Sequence, residues 1–413
     1  MRRHAMERVI ENPDRVKKAE IVVGSPSYKE ADSIGYVVGK VDEGLTKYFW
    51  RKEAVILNVD NNSPDGTKDA FFSTPTKTPK LYISTPPGVK GKGRNIRNLF
   101  EAGVELGAEV IIMVDADLKS ITPQWMQYLA EPIYLGNDYV IPIYVRHKYD
   151  GTITNNITYP LTRVLYGLRT RQPIAGDFAF SGRLARAYLT EKTWDENVYE
   201  FGIDIWMTTI AINEGFKICQ SFLGAKIHDA KDPAQSLGPM FKQVVGTLFY
   251  LMTQYEDNWK NIKGSYPTAM YGFRCEVFPK PVAVKLESMI EKFKIGVMEN
   301  KNYWYSFLPK KRVEKIEEIA HLPQEKFNFP VDLWVKVVYD FAIAYKNNKQ
   351  DASSSQDEID KLVGSLVPLY FGRTASFVKE TYHMSDYEAE EITEKLCNEF
   401  EKMKPYLIER WFK

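Results

Sequence analysis

Two aspartates, Asp115 and Asp117, follow the apolar run 110–114 and have the spacing in this sequence that best suits metal chemistry. In an extended chain, side chains two residues apart point to the same face, so both carboxylates are predicted to face one crevice. Carboxylate oxygens are hard ligands that suit Mg²⁺ or Mn²⁺, and such an ion can hold a diphosphate. An Asp-x-Asp pair also occurs in ordinary turns and helix caps, so its interpretation depends on the rest of the chain.

A second candidate binding element is the loop around Gly91, Lys92 and Gly93, just before the predicted helix 96–106. The glycines would let the backbone approach a ligand closely, while the lysine and the helix amino end favour an anion. The spacing is not that of a Walker loop. A glycine-rich turn without a ligand stays open as the alternative.

Polar residues also follow the first two predicted strands, 21–24 and 54–59. The first strand continues into residues 24–30, and the second, 54–59, ends at Asp60. A carboxylate at a strand end can accept a hydrogen bond from a base or ribose, which is the role predicted for Asp60. Asp65, Gly66 and Thr67 read as an ordinary turn leading into a helix.

The predicted secondary structure that must position these residues differs between the two halves of the chain. Short apolar runs separated by helix-length segments predict an α/β fold with a mostly parallel sheet covered on both faces. After residue 233 the apolar residues recur at helical spacing, with no convincing strand. We therefore predict an α/β domain over 1–235 and an all-helical domain over 236–413. The predicted strands are 21–24, 54–59, 80–84, 110–114 and 139–144.

Composition narrows the class of protein. With 413 residues, the chain is long enough for two domains. Its net charge of +1 gives no argument for binding nucleic acid or an anionic membrane surface. No signal peptide or apolar run of membrane-spanning length is evident, which predicts a cytoplasmic protein without a membrane anchor. Cys219, Cys275 and Cys397 lack metal or disulfide spacing.

Set in order, these pieces resemble the nucleotide-sugar-binding domain of GT-A glycosyltransferases. The resemblance rests on residues 26–30, Asp60 with Ser63, residues 65–67, Gly91-Lys92-Gly93 and Asp115-Ala116-Asp117. It implies a nucleotide-sugar donor and places Mg²⁺ or Mn²⁺ on Asp117. The donor-binding residues it implies are Pro26, Ser27, Glu30, Asp60, Lys92 and Asp115.

Downstream motifs are similar to those of the retaining synthases that make mannosylglycerate, glucosylglycerate or glucosyl-3-phosphoglycerate. The segments concerned are 146–155, 172–177, 201–204 and 225–228. The resemblance implies a homodimer, a glycerate-type acceptor and a helical carboxy-terminal region. It assigns His228 to the metal, Gly176 to the space under the sugar, Arg146, Thr152, Thr154 and Asp204 to the acceptor, and Lys92, Asp177 and Asp204 to catalysis.

The sequence departs from this family in two places. Relatives that use phosphoglycerate carry an arginine in the acceptor loop, where this chain has Gly151-Thr152-Ile153-Thr154. Loss of a guanidinium fork favours free D-glycerate, although Arg146 and Lys148 could compensate, so 3-phosphoglycerate stays open. Relatives often show Gly-Gly-Glu where this chain has Gly176-Asp177, which leaves the acidic role open. GDP-mannose, GDP-glucose, UDP-glucose and ADP-glucose all stay possible as donors.

Two other classes of function compete with this interpretation. A nucleotidyltransferase also combines an α/β sheet, a basic loop and paired aspartates, but expects a glycine-rich basic loop directly after the first strand. Residues 24–30 contain one glycine and end in Glu30. A noncatalytic ligand-binding protein is the other alternative, and turnover of a sugar nucleotide would exclude it.

Overall fold

The computed structural model of the protein describes residues 8–227, 233–274, 277, 279–351 and 353–413. The chain forms two compact units. The first lies within Met1–Val145, Gln172–Asp229 and Thr268–Pro279, and the second within Arg146–Arg171, Ala230–Pro267 and Lys280–Lys413. The segment Arg146–Arg171, which the sequence analysis counted with the α/β domain, thus belongs to the second unit.

The first unit is built on a nine-stranded sheet in the order β1-β4-β3-β2-β5-β8-β6-β9-β11. Strands β1 and β8 run against the others, so the sheet is mostly parallel. Its strands are β1 Val9–Glu11, β2 Ile21–Ser27, β3 Ala54–Asp60, β4 Lys80–Ser84, β5 Val110–Met113, β6 Tyr139–Val145, β8 Phe178–Ser181, β9 Ile218–Ala225 and β11 Ala269–Tyr271.

Helices cover this sheet because its central strands are apolar on both sides. All four residues of β5 are fully buried, as expected for a parallel strand between two helical layers. The helices of this unit are α1 Ile34–Tyr48, α2 Thr67–Ser73, α3 Lys92–Glu105, α4 Gln124–Tyr134, α6 Gly182–Thr190, α7 Glu196–Tyr199 and α8 Ile203–Asn213. The predicted mostly parallel α/β sheet is therefore confirmed.

The second unit is mainly helical. A π-helical turn, Thr154–Thr158, opens into α5, and the two-residue strands β7 Leu168–Arg169 and β10 Tyr266–Pro267 pair in parallel. Its helices are α5 Tyr159–Tyr166, α9 Pro233–Gln254, α10 Glu256–Trp259, α11 Leu286–Trp304, α12 Lys310–Ala320, α13 Val331–Gln350, α14 Gln356–Ser365, α15 Val367–Thr381 and α16 Asp386–Trp411.

The helical carboxy-terminal region is confirmed, with one correction. The expectation of no strand after residue 233 is wrong, because β10 and β11 lie there and β11 joins the large sheet beside β9. Both are so short that an alternating pattern cannot reveal them. Among the described residues, no helix is both long enough and apolar enough to span a membrane.

Candidate active site at the carboxyl edge of the sheet

Charged side chains meet where β5 ends and β8 begins. Because β8 runs antiparallel to β5, its amino end lies at the same edge as the carboxyl end of β5, and Met113 pairs with Phe178. The residues just beyond this pair are therefore neighbours. The backbone N–H of Asp115 donates to Asp177 Oδ1 at 2.8 Å.

Lys226, which follows β9, joins the two aspartates. Its Nζ donates to Asp115 Oδ2 at 2.8 Å, to Asp177 Oδ2 at 2.7 Å and to the Ala175 carbonyl at 2.7 Å. The Tyr144 hydroxyl, from β6, also donates to Asp177 Oδ2, at 2.5 Å. Asp177 has no exposed surface. Burial raises the pKa of Asp177, while the ammonium of Lys226 opposes that rise.

Lys92 approaches the same group from the amino end of α3. Its Nζ lies 3.4 Å from Asp115 Oδ1 and 3.4 Å from Asp204 Oδ1. Burial alone would lower the pKa of Lys92, but the carboxylates of Asp115, Asp204 and Asp177 outweigh that effect and raise it. Lys92 therefore stays charged, and 18% of its side chain is exposed, so it can meet an anion.

Asp204 lies in the first turn of α8 and fixes the turn before β8. Its Oδ2 accepts hydrogen bonds from the backbone N–H groups of Ala175 at 3.2 Å and Gly176 at 3.0 Å. Its Oδ1 is buried without a hydrogen bond among the described residues and faces Lys92. Three carboxylates and two ammonium groups thus share this edge; we call Lys92, Asp115, Asp177, Asp204 and Lys226 the charge cluster.

Three glycines of the predicted site leave room for neighbouring groups of the protein. A side chain at Gly91 or Gly93 would overlap the backbone carbonyls of Tyr199 and Val198, respectively. The predicted role of these two glycines is therefore corrected, because they let α3 pack against α7 and place Lys92. Gly176 has φ +89°, and a side chain there would overlap the carboxylate of Asp115, so it makes room for that carboxylate.

The predicted donor residues at the ends of β2 and β3 form a hydrogen-bonded group. Asp60 is fully buried. It accepts from Ser27 Oγ at 2.8 Å, Ser63 Oγ at 2.6 Å, Ser63 N at 2.7 Å and the Tyr82 hydroxyl at 2.8 Å. Because the lone pairs of this carboxylate are occupied within the protein, Asp60 holds the loop in shape and does not itself face a base or ribose.

The remaining predicted donor residues lie beside Asp60. Pro26 and Ser27 are the last two residues of β2 and pair with Val59 and Asp60 of β3. Glu30 accepts from Ser33 Oγ at 2.7 Å, and its backbone N–H donates to Thr67 Oγ1 at 2.9 Å. The loops after β2 and β3 are therefore tied together at the edge that carries the charge cluster.

The predicted cation ligands are only partly described. Strand β5 ends at Met113, so Asp115 and Asp117 lie beyond it in a loop and turn rather than on one extended face. Asp117 is half-buried and forms no hydrogen bond or ion pair with the rest of the described chain. His228 lies outside the described residues, although its neighbour Ile227 is bonded to Lys119 and Ser120 in the loop after Asp117.

These residues fit a cation that is bound together with a substrate. Within the described ranges, no three His, Cys, Asp or Glu side chains form a group that could enclose a metal ion. Mg²⁺ is commonly held by one or two carboxylates plus substrate phosphates. Asp117, two residues after Asp115 in the chain, has a carboxylate of this kind, and its role as a cation ligand stays a prediction.

Three of the four predicted acceptor residues, Arg146, Thr152 and Thr154, belong to the second unit, whereas Asp204 belongs to the first. Arg146 Nη1 lies 3.6 Å from Asp150 Oδ2. Thr152 is buried and shares a hydrogen bond of 2.5 Å with the Tyr370 hydroxyl of α15. Thr154 is also buried and opens the π-helical turn. Such turns are uncommon and occur frequently at functional sites.

Lys148 is used for structure. Its Nζ donates to the carbonyls of Thr381 and Met384, and its backbone N–H donates to Asp386 Oδ1 at 2.8 Å. The expectation that Lys148 could replace a missing arginine is therefore corrected, because the end of α15 already takes its donors.

Further contacts hold the segment 146–158 against the helices of its own unit. The indole N–H of Trp334 donates to the Asn156 carbonyl at 2.8 Å. Arg171 donates to Asn155 Oδ1 at 2.8 Å and pairs with Glu390 of α16. These contacts come from α13, α15 and α16, so the helical unit shapes the segment that carries the predicted acceptor residues.

Sequence reasoning missed Lys226 as a central residue and missed Tyr144. A lysine after an apolar strand was a usable signal, since lysine is rarely buried unless paired. Its side chain is only 4% exposed. Its partners, however, follow β5 and precede β8, and the order of strands in the sheet cannot be read from one sequence.

No protein-family model matches the chain. The chain is 24% identical over 200 residues to undecaprenyl-phosphate mannosyltransferase of Micrococcus luteus, a match covering 46% of this chain and 77% of that protein.

Solved structures of glucosyl-3-phosphoglycerate synthase from Mycobacterium tuberculosis are also similar. The complex with Mn²⁺, UDP and glucosyl-3-phosphoglycerate is 22% identical with a TM-score of 0.46, covering 56% of this chain and 80% of that chain. The complex with Mg²⁺ and UDP is 22% identical with a TM-score of 0.45, covering 56% and 79%. The predicted resemblance to glycosyltransferases is supported by the sequence match to the mannosyltransferase.

Proposed function

We propose that this GT-A-like protein is a retaining hexosyltransferase that moves glucose or mannose from a nucleotide sugar to D-glycerate. The product would be an α-glycosylglycerate, a compatible solute. The observation that carries the proposal is the charge cluster at the carboxyl edge of a mostly parallel sheet, where open α/β folds place their ligands. The part of the proposal that concerns the acceptor depends on a separate observation in the second unit.

The donor assignment follows from the exposed cation of the cluster. Lys92 is charged, partly exposed and positioned at a helix amino end, so it suits a diphosphate. In the reaction the bond from the anomeric carbon to the diphosphate breaks, and negative charge grows on the leaving phosphate. Lys92 would stabilise that charge, and Asp204 would hold Lys92 in place.

A divalent cation would be held by Asp117 and, as the family resemblance implies, by His228. When bound, such a cation neutralises the diphosphate and makes it a better leaving group. Mg²⁺ and Mn²⁺ are the two ions proposed, and both suit an oxygen ligand such as Asp117.

The acceptor assignment rests on which basic side chains of the segment 146–158 already donate hydrogen bonds within the protein. Lys148 donates to backbone carbonyls, which leaves Arg146 as the cation proposed to grip an acceptor carboxylate. One guanidinium can bind one carboxylate in a fork, whereas a phosphate-bearing acceptor would call for a second cationic group. This supports D-glycerate over 3-phosphoglycerate. Thr154 is proposed to assist Arg146.

The proposed stereochemistry is retention. Asp177 is fully buried and accepts hydrogen bonds on both oxygens, so it positions other groups and does not act as the base of an inverting reaction. Attack of the acceptor hydroxyl on the face that the diphosphate leaves is consistent with this placement. The hydroxyl proton then passes to the departing phosphate oxygen.

A product assay tests the proposal. The protein is given Mg²⁺ or Mn²⁺, each of the four sugar nucleotides, and D-glycerate or 3-phosphoglycerate, and the anomeric coupling of the product is measured by NMR. We expect an α-linked glycerate. A product formed only with 3-phosphoglycerate would show that the proposed acceptor is wrong. A β-linked product would overturn retention. An absence of sugar transfer under every condition would overturn the assignment as an enzyme.

Two further properties are proposed. A homodimer follows from the family resemblance, and sedimentation equilibrium checks it directly. A cytoplasmic location follows from the sequence prediction, and cell fractionation with an antibody to the native chain tests it. A protein found in the membrane fraction would contradict the second prediction.

A further inference from the structure

The two lysines of the charge cluster both contact Asp115, but they differ in how their donors are used. Lys226 Nζ has three N–H donors and gives them to Asp115, Asp177 and the Ala175 carbonyl at 2.7–2.8 Å. Lys92 lies 3.4 Å from its two carboxylates and is more exposed. Lys226 therefore has no donor left for a substrate, while Lys92 can turn towards one.

Asp115 consequently faces an ammonium group on each oxygen. Its Oδ1 lies 3.4 Å from Lys92 and its Oδ2 lies 2.8 Å from Lys226. An ammonium at hydrogen-bonding distance repels a second cation and occupies one of the lone pairs that a cation could use. The Asp177 carboxylate, fully buried, anchors Lys226 on its other side.

We propose that Lys226 is a positioning residue that keeps Asp115 from binding the divalent cation, so that Asp117 provides the cation-binding carboxylate of this loop. This inference rests on the proposed function, because it concerns how that site divides its carboxylates. It follows that the protein alone binds the cation weakly. Diphosphate oxygens must complete the coordination, so cation and nucleotide strengthen each other's binding.

The test measures Mn²⁺ binding through loss of the free-ion EPR signal, with and without UDP or GDP. For the native chain we expect Mn²⁺ to bind at least about 10-fold more tightly with nucleotide. The test variant combines Lys226→Met with Asp177→Asn, which removes one positive and one negative charge and leaves the net charge unchanged. Freeing Asp115 Oδ2 should then tighten nucleotide-free Mn²⁺ binding by about 10-fold or more.

Lys80→Met is the matched control. Lys80 is another buried lysine of the first unit, and its Nζ donates to the carbonyls of Phe71, Phe72 and Thr74 rather than to the cluster. It should leave Mn²⁺ binding unchanged. Lys226→Arg keeps a positive charge and several N–H donors, so it should retain weak nucleotide-free binding.

Unchanged nucleotide-free Mn²⁺ affinity in the folded double variant would overturn the inference, as would tight Mn²⁺ binding by the native chain alone. If the double variant does not fold, Lys226→Gln removes the charge, keeps one donor and is judged in the same way. If neither the native chain nor any variant binds UDP or GDP, that result would count against the proposed function. The nucleotide-free comparison would still decide the role of Lys226.

Discussion

The charge cluster of the first unit and the segment 146–158 of the second are held by different forces. The cluster consists of ionised groups that bond to one another at the edge of a sheet. In the segment, the contacts include a threonine hydroxyl, a lysine on backbone carbonyls and an indole N–H. The first arrangement prepares an electrostatic field, while the second fixes the shape of a chain segment.

The difference also predicts how each region responds to mutation. A buried charge that loses its partner remains uncompensated in a medium of low dielectric constant, which costs several kcal/mol. A neutral hydrogen bond contributes about 1 kcal/mol, and its loss can often be accommodated. The first unit should therefore lose much of its stability when one of the most deeply buried members of the cluster, Asp177 or Lys226, is removed. The segment should weaken in small steps.

The largest effect is expected from Asp177→Ala, which removes a fully buried partner of Lys226. We expect the free energy of unfolding to fall by about 3–5 kcal/mol, because the ammonium stays buried with one carboxylate fewer. Urea unfolding followed by circular dichroism measures this. Glu53→Ala, which removes an exposed partner of Lys18, is the control. If Asp177→Ala lowers the free energy of unfolding no more than Glu53→Ala does, the cluster is not held by buried charges.

Lys92→Met should leave the fold largely intact but abolish most of the catalysis. The exposed ammonium is proposed to stabilise charge on the leaving diphosphate, so kcat should fall by about 10²–10³-fold. Steady-state transfer assays with the best donor measure it. Lys40→Met, on the surface of α1 and paired with Glu43, should change kcat less than about 2-fold. Equal losses in the two variants would contradict the role of Lys92.

Tyr370→Phe tests the segment with a smaller change. It removes the hydroxyl bonded to Thr152 and keeps the ring that packs on Phe241. We expect a loss of about 1 kcal/mol in stability and a rise of a few-fold in the KM for the acceptor, with the donor dissociation constant unchanged. Tyr387→Phe, at an exposed position of α16, is the control. A change in the donor dissociation constant with no change in the KM for the acceptor would contradict the proposal that the segment 146–158 serves the acceptor.

The smallest effect concerns pH. Burial lowers the pKa of His147 from its ordinary value of 6.5; Asp386 opposes that shift and Lys148 adds to it. The unfolded chain therefore binds this proton at a higher pH than the folded chain does. The stability from His147 is present above pH 6.5 and is lost as the pH falls below that value.

His147→Gln should accordingly flatten the fall in stability below pH 6.5. Urea unfolding at a series of pH values gives the profile. His321→Gln, at an exposed histidine after α12, is the control. A steeper profile in His147→Gln would contradict the sign.

The sequence by itself determined the elements and the residues available for chemistry. Each of the five predicted strands is present, and 80–84 matches β4 in both of its ends, because apolar runs bounded by turn residues are local signals. The type of ligand follows from side-chain chemistry, which needs no coordinates.

Only the tertiary structure decided which residues act and which support them. The sequence predicted binding roles for Asp60, Gly91 and Lys148, but the structure gives each a structural role. Asp60 holds the loops after β2 and β3 together, and Gly91 lets α3 pack against α7. Lys148 caps the end of α15. Lys226 became central because β6 lies between β8 and β9 in the sheet. Strand order and the assignment of 146–171 to the helical unit arise from contacts between distant residues, which a local pattern does not encode.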